Sequence, residues 1–308
     1  MELTFQFEWE VRLIEALQSL IRTVPLLEEI FSLITIFGEP VMAVVVVGLL
    51  YWCIDKKTGV RVGICTLPAM TTNCMIKNIF RRIRPYAVNE SIHCIRVPEP
   101  RYDINDMIRQ GYSFPSGHAT VSSALMTSFS LIKKNRKLLT YGSVLVVLIS
   151  LSRVALGVHY PTDVLTGIIL GAVPVLIVNT LMDKLNKKQL YLILVLYSCI
   201  GVFFCKSDDY YSVLGLLIGF VCGDLFDERY VNFENTRNIT RMLIRTLAGG
   251  LFFLCITTLL KLPFSKDVLN AQTQFAYLYR VFRYGVGTFG AIGLYPILFR
   301  YNILKFKE

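Results

Sequence analysis

TDVLTGIILGAVPVLIVNTLM, residues 162–182, decides what kind of protein this chain is. Asp163 is its only charged residue, and the rest form one apolar block rather than an apolar stripe beside a polar face. A helix that crosses the hydrocarbon core of a bilayer needs about 20 apolar residues. The stretch therefore predicts a transmembrane helix.

Similar apolar blocks recur along the chain, of whose 308 residues 54% are hydrophobic and only 18% are charged. Together with the first block, they lie near residues 39–54, 58–80, 118–132, 138–157, 162–182, 189–205, 211–226, 242–260 and 284–301. Some of the nine are shorter than a usual span, so the pattern is compatible with eight to ten helices. We expect an all-α fold, a polytopic membrane protein with about nine transmembrane helices.

The remaining sequence suggests how the chain is divided. From Phe5 to Leu27, apolar residues recur at helical spacing between charges, which predicts an amphipathic helix at the membrane interface. No internal repeat or Pro/Ser-rich linker interrupts the chain after this segment. We expect three parts: an interfacial segment (1–37), a membrane core (38–185) and a C-terminal extension of transmembrane helices (186–308).

The basic residues indicate the orientation in the membrane. The formal net charge is +10, but the Lys and Arg residues are scattered over short loops, which fits anionic lipid better than nucleic acid. More than half of the 32 lie in loops after odd-numbered spans, and such loops tend to face the cytoplasm. Residues 81–117 and the connection 158–161 should then face the outside or a lumen. We expect an integral protein of the plasma membrane or endoplasmic reticulum with lipid, not nucleic acid, around it.

The sequence offers no sign of a disulfide framework or a metal site. None of the eight cysteines forms a CxxC pair, and seven lie in or beside apolar spans, which is typical of packing residues. No cluster of His, Asp and Glu has the spacing of a metal site. We expect neither a metal nor a cofactor.

Polar residues interrupt the apolar sequence in three places on one predicted side, where ionisable residues are functional candidates. The first is MIKNIFRRIRPY, residues 75–86. Lys77 and Arg84 are two helical turns apart, which predicts that both project from one face, and Pro85 should end the helix. Taken alone, a cation in this place is more often a snorkelling residue at a membrane boundary.

The second place is GYSFPSGHAT, residues 111–120, which has the features of a helix start. Ser116 is a good N-cap, and Gly117 would let a ligand approach the backbone. The free N–H groups of residues 116–118 would bind an anion, with His118 beside it in the first turn. Taken alone, the motif could be a plain N-cap with an interfacial histidine.

The third place is SRVALGVHYPTDV, residues 152–164. His159 precedes a helix that starts near Pro161, and Asp163 could hydrogen-bond one imidazole nitrogen and leave the other free as a nucleophile. Arg153 adds a cation one to two turns earlier. A lone His/Asp pair is more often structural.

The three groups have complementary roles when they are taken together. Three cations and a helix start can hold the oxygens of a phosphoryl group: Lys77, Arg84, Arg153 and the Ser116-Gly117 turn. One histidine, His159, can attack phosphorus, and the other, His118, can protonate the departing oxygen. The set predicts a phosphoryl-transfer site in which Asp163 orients His159.

These motifs resemble the three-part signature of the type 2 phosphatidic acid phosphatase (PAP2) superfamily, with every spacing intact over about residues 70–170. The resemblance implies a helical membrane core, a phosphohistidine intermediate on His159 and no metal requirement. The C-terminal helices resemble those of the long sphingoid-phosphate phosphatases. Glucose-6-phosphatase has a similar helix count, but it departs from the family at the position of Asp163.

The expected function is hydrolysis of a lipid phosphomonoester or pyrophosphate, such as a sphingoid-base phosphate or a phosphatidic acid-like lipid. Two alternatives stay open: a phosphatase of a soluble sugar phosphate, and a non-catalytic protein that binds or transports lipid. The loop 86–114 could close over a lipid or a sugar phosphate through its charged residues: Arg96, Arg101, Asp103, Asp106 and Arg109. The complete set of polar groups argues against a non-catalytic protein, and whether the chain forms a homo-oligomer is left open.

Overall fold

The computed structural model describes residues 3–100 and 103–300, which form helices and, apart from one isolated β-bridge between Leu3 and Arg82, no extended pairing. Three of the charged loop residues of the sequence, Arg101, Lys305 and Lys307, lie outside the described residues. The longer helices are α1 (Glu8–Thr23), α2 (Leu26–Ile36), α3 (Pro40–Leu49), α4 (Lys56–Phe80), α7 (Gly117–Lys133), α8 (Arg136–Ala155), α9 (Pro161–Met182), α10 (Lys187–Cys199), α11 (Asp208–Phe226), α12 (Ile239–Leu259) and α14 (Gln274–Phe289). The short ones are α5 (Pro85–Val88), α6 (Met107–Gln110), α13 (Lys266–Asn270) and α15 (Ile297–Arg300).

Within residues 3–100 and 103–300, the apolar spans of the sequence fall on helical segments, so the all-α fold is confirmed for this part of the chain. Four of those helices are long and apolar enough to cross a bilayer: α8, α9, α12 and α11 with the π-helical turn after it. A fifth span arises if α2 and α3, which meet at a bend of 49°, are one broken span. The number nine stays a prediction.

The structure divides into two compact units. The first comprises the residues up to Ala43, Ala69–Thr180 and Gly201–Ser207, and the second comprises Val44–Pro68, Leu181–Ile200 and the residues from Asp208 onward. The three polar motifs lie in the first unit. The first unit is therefore where a functional site is to be sought.

In the first unit, α1 buries one face and exposes the other. Ile14 is fully buried and packs with Ala119, Val154 and Tyr160, and large apolar side chains such as Trp9 are half exposed on the outer face. The buried face also contains Glu10, which is completely buried. A buried carboxylate requires partners, so α1 does more than lie against a membrane.

Helices α7 and α9 of the first unit approach each other closely. A Cβ atom at Gly167 would lie 2.6 Å from the carbonyl oxygen of Ser116, and one at Gly171 would lie 2.4 Å from that of Thr120. Two glycines four residues apart allow two helix backbones to touch, as in many membrane helix pairs. This contact sets the start of α7 beside the start of α9.

The second unit is built around an aromatic core. Tyr51 and Trp52, in the π-helical turn after α3, pack with Phe220 and Tyr295. The Tyr51 hydroxyl and the Trp52 ring N–H donate to backbone carbonyls, both at 3.1 Å. Buried aromatic residues with a polar atom usually find such a partner.

The eight cysteines are free thiols. Four of them are buried, as expected for packing residues: Cys53, Cys65, Cys74 and Cys205. Cys222 and Cys255 are instead exposed on α11 and α12. A free thiol behaves as a small hydrophobic group, so both exposed positions are compatible with an apolar environment.

Candidate active site

Four segments of the first unit bring the eight predicted site residues together. They are the C-terminal end of α4 with the turn that leads into α5, the start of α7, the end of α8 and the α8–α9 junction with the first turn of α9. The charges of Lys77, Arg84 and Arg153 all act on His159, and His159 itself interacts electrostatically with His118. The structure thus places both histidines among the three cations.

Two of the cations are held by the same loop. The Lys77 Nζ donates to the Tyr112 carbonyl at 2.7 Å, and Arg84, which is 4% exposed, donates to the Gly111 and Gln110 carbonyls at 2.7 and 2.9 Å. A further bond of 3.0 Å joins Arg84 Nη1 to the carbonyl of Val158. The segment just before the PSGH motif therefore fixes the directions of both side chains.

The two cations meet for a different reason from the one the sequence suggested. Helix α4 ends at Phe80 rather than at Pro85, and Arg81 has a left-handed backbone with φ of 47°. Arg84 is the N-cap of the short helix α5, with Pro85 in its first turn. The prediction that Lys77 and Arg84 share one helical face was wrong, because a sharp turn, not helical periodicity, brings them together.

Arg153 is buried and incompletely paired. Its side chain is 3% exposed, and its Nη1 donates to the Thr35 hydroxyl at 2.9 Å. Its Nε has no hydrogen-bond partner among the residues that the structure describes. Buried polar groups are nearly always hydrogen-bonded, so this N–H is suited to an anionic ligand.

The helix start at Ser116 forms as predicted, with one difference. The Ser116 hydroxyl caps α7 by accepting from the Ala119 N–H at 3.5 Å, and the helix begins at Gly117. The Ser116 N–H, however, donates to the Asp163 carbonyl at 3.0 Å, so two of the three predicted amides, those of Gly117 and His118, lack an acceptor within the helix. A Cβ atom at Gly117 would meet only Asn73, at 3.9 Å, which leaves room beside this backbone.

His118 is partly exposed and lies against the α2–α3 bend. A Cβ atom at Gly38, in that bend, would lie 3.1 Å from the His118 Cβ and 2.6 Å from Ile149. Next to Gly38, Glu39 pairs with Arg96 of the loop 86–114 at 2.8 Å. The bend and part of the loop thus form a wall beside His118, which the sequence did not indicate.

His159 and Asp163 are both buried and lie side by side. The His159 Nδ1 is 3.4 Å from Asp163 Oδ2, but it has no hydrogen-bond partner in the described part of the chain. Asp163 Oδ2 accepts instead from the Ser113 hydroxyl and the Tyr160 N–H, both at 2.8 Å, and Oδ1 accepts from Arg82 at 2.7 Å. The expected pair is present, but the expected hydrogen bond is not formed.

The surroundings of His159 keep its imidazole neutral. Burial lowers the pKa of His159 well below its usual value, and the positive charges of Arg84, Lys77 and Arg153 lower it further. Near neutral pH the ring therefore has a free lone pair. That is the form in which a histidine can attack an electrophile.

Arg82 is the main residue that the sequence did not single out. It is fully buried and contacts Asp163 directly, whereas in the run RRIR it resembles one more basic residue at a membrane edge. The left-handed turn at Arg81 sends it inward, and such a turn leaves no periodic signal.

Within residues 3–100 and 103–300, no group of three His, Cys, Asp or Glu side chains is arranged to hold a metal ion.

Two family models match the chain, and together they cover well over half of it. The model described as PAP2 superfamily matches residues 58–187, which include all eight site residues, and the one described as PAP2 superfamily phosphatase, transmembrane extension, matches residues 211–305. The chain belongs to the PAP2 superfamily. With its long apolar helices, this PAP2 chain is an integral membrane protein.

Curated relatives of this PAP2 protein carry names of lipid phosphatases. It is 29% identical over 117 residues to an undecaprenyl-diphosphatase of Sulfolobus acidocaldarius, which covers 38% of this chain and 52% of the relative. It is 37% identical over 98 residues to a decaprenylphosphoryl-5-phosphoribose phosphatase of Mycobacterium tuberculosis, covering 32% and 46%. To sphingosine-1-phosphate phosphatase 1 of Mus musculus it is 26% identical over 213 residues, covering 63% and 47%.

The chain spans about half the length of these three relatives. No solved structure matches it. The comparisons therefore establish the family, whereas the activity and the substrate are proposals.

Proposed function

We propose that this PAP2 protein is a metal-independent phosphatase of membrane lipid phosphates that forms a phosphohistidine on His159. One observation carries the proposal: a buried, neutral His159 lies among three cations, one of which, Arg153, has a buried N–H without a partner. Such an arrangement is suited to an anion that brings an electrophilic atom to the imidazole. A phosphate ester is an anion of that kind.

In the first step, a lone pair of His159 attacks phosphorus and the bond from phosphorus to the alcohol oxygen breaks. Because Nδ1 faces Asp163, the nitrogen that attacks is Nε2, and the carboxylate stabilises the imidazolium that forms. Lys77, Arg84 and Arg153 hold the phosphoryl oxygens, together with the amides of the Gly117 turn. His118, whose protonated form is favoured by the anionic phosphate bound beside it, gives its proton to the departing oxygen, because an alkoxide is a poor leaving group.

In the second step, a water molecule attacks the phosphorus of the phosphohistidine and the P–N bond breaks. His118, now neutral, accepts a proton from that water. The products are the lipid alcohol and inorganic phosphate, and both histidines regain their starting forms. The cations that held the first transition state also hold the second, so no metal ion is needed to supply positive charge.

The membrane setting supports a lipid substrate. The names of the relatives refer to polyprenyl and sphingoid phosphates, and the site lies at the ends of helices that can cross a bilayer. We extend the proposal to a catalytic core at 38–185, an extension at 186–308 and about nine transmembrane helices. The site would face the outside of the plasma membrane or the lumen of the endoplasmic reticulum.

The test is phosphate release by the purified protein in lipid nanodiscs. The panel contains a sphingoid-base phosphate, phosphatidic acid, a polyprenyl diphosphate and glucose 6-phosphate, each with and without EDTA. We expect release from one or more lipids, unchanged by EDTA, and loss of release in His159→Asn. The matched control is His93→Asn, which changes the third histidine of the chain, an exposed one.

Each contrary result overturns a stated part of the proposal. Release from glucose 6-phosphate alone would indicate a phosphatase of soluble esters. Lipid binding without release would indicate a binding or transport protein. Loss of activity in EDTA that magnesium or zinc restores would rule out metal independence.

A further inference from the structure

Arg82 is a buried side chain whose donors point to carboxylates and to one end of a helix. Its Nη1 donates to Asp163 Oδ1 and to the Thr162 hydroxyl, both at 2.7 Å, and its Nη2 donates to Glu10 Oε2 at 2.7 Å. Its Nε donates to the Phe5 carbonyl at 3.1 Å. One guanidinium thus joins the N-terminal segment to the carboxylate beside His159.

Aromatic rings enclose the same guanidinium. Its central carbon lies 4.4 Å from the centre of the Phe5 ring and 3.9 Å from that of Tyr160. Arginine is suited to this position, because its planar fork can stack on aromatic faces while it binds two carboxylates at its edge. A lysine would keep the charge but not this geometry.

Glu10 links α1 to the start of α9. Its Oε1 accepts from both the Thr162 N–H and the Thr162 hydroxyl, at 3.1 and 2.5 Å. Asp163 is the next residue, in the first turn of α9. Glu10 therefore fixes the backbone that carries Asp163, while Arg82 fixes its side chain.

The three charges are all fully buried, and they depend on one another. The side chains of Arg82, Glu10 and Asp163 each have no exposed surface. A buried carboxylate that loses its cation is strongly disfavoured as an anion. Arg82 thus favours the ionised form of Asp163 and also holds Oδ1, while Oδ2 lies 3.4 Å from the His159 Nδ1.

We propose that Arg82 and Glu10 are positioning residues that hold Asp163 in place for the phosphorylation of His159. The inference rests on the proposed function and adds to it a part of the chain, α1, that lies outside the PAP2 match at 58–187. The N-terminal helix is then a component of the catalytic apparatus. Its role is to orient the carboxylate that stabilises the phosphohistidine.

The experiment compares Arg82→Lys, Arg82→Met and Glu10→Gln in full-length protein in nanodiscs. We expect kcat to fall roughly 10- to 100-fold, since small misplacements of catalytic groups cost up to about 10² in rate. KM and the inhibition constant of inorganic phosphate should stay within about threefold, because the cations that bind phosphate are unchanged. Arg82→Lys should retain more activity than Arg82→Met, because it keeps the positive charge.

The matched control is Glu8→Gln, on the same helix. Glu8 also forms an ion pair, with Arg12 at 3.1 Å, but both side chains are largely exposed. Exposed pairs of this kind contribute little, so kcat should not change. A loss in Glu8→Gln equal to that in Glu10→Gln would show that any lost charge on α1 has this effect, and it would contradict the proposal.

A double-mutant cycle separates positioning from general damage. In an Asp163→Asn background, Arg82→Lys and Glu10→Gln should lower kcat by less than about twofold further, because their effect is transmitted through Asp163. If the double variants instead lost kcat by the product of the two single losses, the inference would be overturned. The same holds for kcat values within about twofold of wild type in both single variants, or a parallel loss of phosphate binding.

The same measurements distinguish this inference from the proposed function. If wild type releases phosphate and His159→Asn does not, the proposed function stands whatever the Arg82 and Glu10 variants do. If wild type releases no phosphate from any substrate, both fail together.

Discussion

At the scale of single residues, the two site histidines differ in their surroundings. His159 is 2% exposed, whereas His118 is partly exposed at the start of a helix. A buried neutral ring is suited to attack phosphorus, and a more accessible one can exchange protons with water and the leaving group. This difference supports the proposed assignment of His159 as nucleophile and His118 as acid, which stays a prediction.

The division of labour predicts how His118→Ala depends on the leaving group. General acid catalysis contributes about 10² to 10⁴ in rate when the leaving group is an alcohol, and far less when it is a nitrophenolate. Single-turnover rates with an alkyl and an aryl phosphate should therefore differ, with the alkyl ester much more impaired. His159→Ala should abolish both reactions and leave no acid-labile phosphoenzyme; equal losses for both esters in His118→Ala would mean that the roles are wrongly assigned.

The lowered pKa of His159 predicts tolerance of mildly acidic pH. The neutral imidazole persists below 6.5, the usual pKa of histidine, and is lost only as the pH falls through the lowered pKa. The acid limb of the pH profile of kcat/KM should therefore lie clearly below pH 6.5. The profile is measured with two phosphate esters that differ in their second pKa. An acid limb that is common to both esters belongs to the enzyme and not to the substrate. A common limb at or above pH 6.5 would contradict this.

The lowered pKa of His159 also makes the free energy of unfolding depend on pH. Between the lowered pKa and 6.5, the unfolded chain binds a proton that folded His159 does not, so the free energy of unfolding falls as the pH falls. Between pH 7 and pH 5, the unfolding temperature should therefore fall by more in wild type than in His159→Asn, a difference that isolates the contribution of His159.

Which of these residues the sequence revealed depends on the kind of signal. His118, His159 and Asp163 stand in fixed spacings around Pro and Gly, so they are recognisable as motifs. Arg82 and Gly38 have no such context, because their roles arise from contacts distant in sequence, with Glu10 and with Ile149. The sequence could not show that the Ser116 N–H is unavailable to a ligand, because that N–H donates to a carbonyl of another helix.

At the scale of helices, the break between α2 and α3 packs directly against the site at His118. The bend of 49° brings Gly38 against His118 and Ile149, where a side chain would have no room. The apolar pattern located both helices but not the bend, which packing determines. Helix α4 shows the same limit, because its end at Phe80 precedes the proline that seemed to terminate it.

Gly38→Ala should displace His118. The added methyl would lie 2.6 Å from Ile149 and 3.1 Å from the His118 Cβ, so at least one of them must move. We expect a loss of roughly 10- to 100-fold in kcat for an alkyl ester and a smaller loss for an aryl ester, because the acid is displaced and the nucleophile is not. Steady-state kinetics with both esters is the measurement.

The matched control is Gly250→Ala, where an added Cβ would have no neighbour within 4 Å. It makes the same substitution in α12, which belongs to the second unit. If Gly38→Ala keeps wild-type kcat with the alkyl ester, the bend does not constrain His118.

At the scale of the whole molecule, we expect the phosphate site at one surface of the bilayer and the basic loops at the other. The sequence predicts this from the distribution of Lys and Arg, and the structure adds that the site lies at one end of α7 and α9. Helices of the first unit that are long enough to span, α8 and α9, meet at His159, while the basic segment 133–137 is at the other end of α8. The loop 86–114 and the segment 133–137 should therefore be on opposite sides.

A labelling experiment tests this orientation with two exposed positions, Glu90→Cys and Lys134→Cys, each in a variant without the eight native cysteines. In a plasma-membrane protein, an impermeant maleimide applied to intact cells should modify the cysteine at 90 and not that at 134, because the positively charged loops face the cytoplasm. In a protein of the endoplasmic reticulum, selective permeabilisation of the plasma membrane should expose position 134 and leave 90 protected. Labelling of both positions after detergent treatment confirms that each thiol is reactive. If position 134 and not position 90 were labelled from outside, the phosphate site would lie in the cytoplasm. Any lipid substrate would then be taken from the cytoplasmic leaflet.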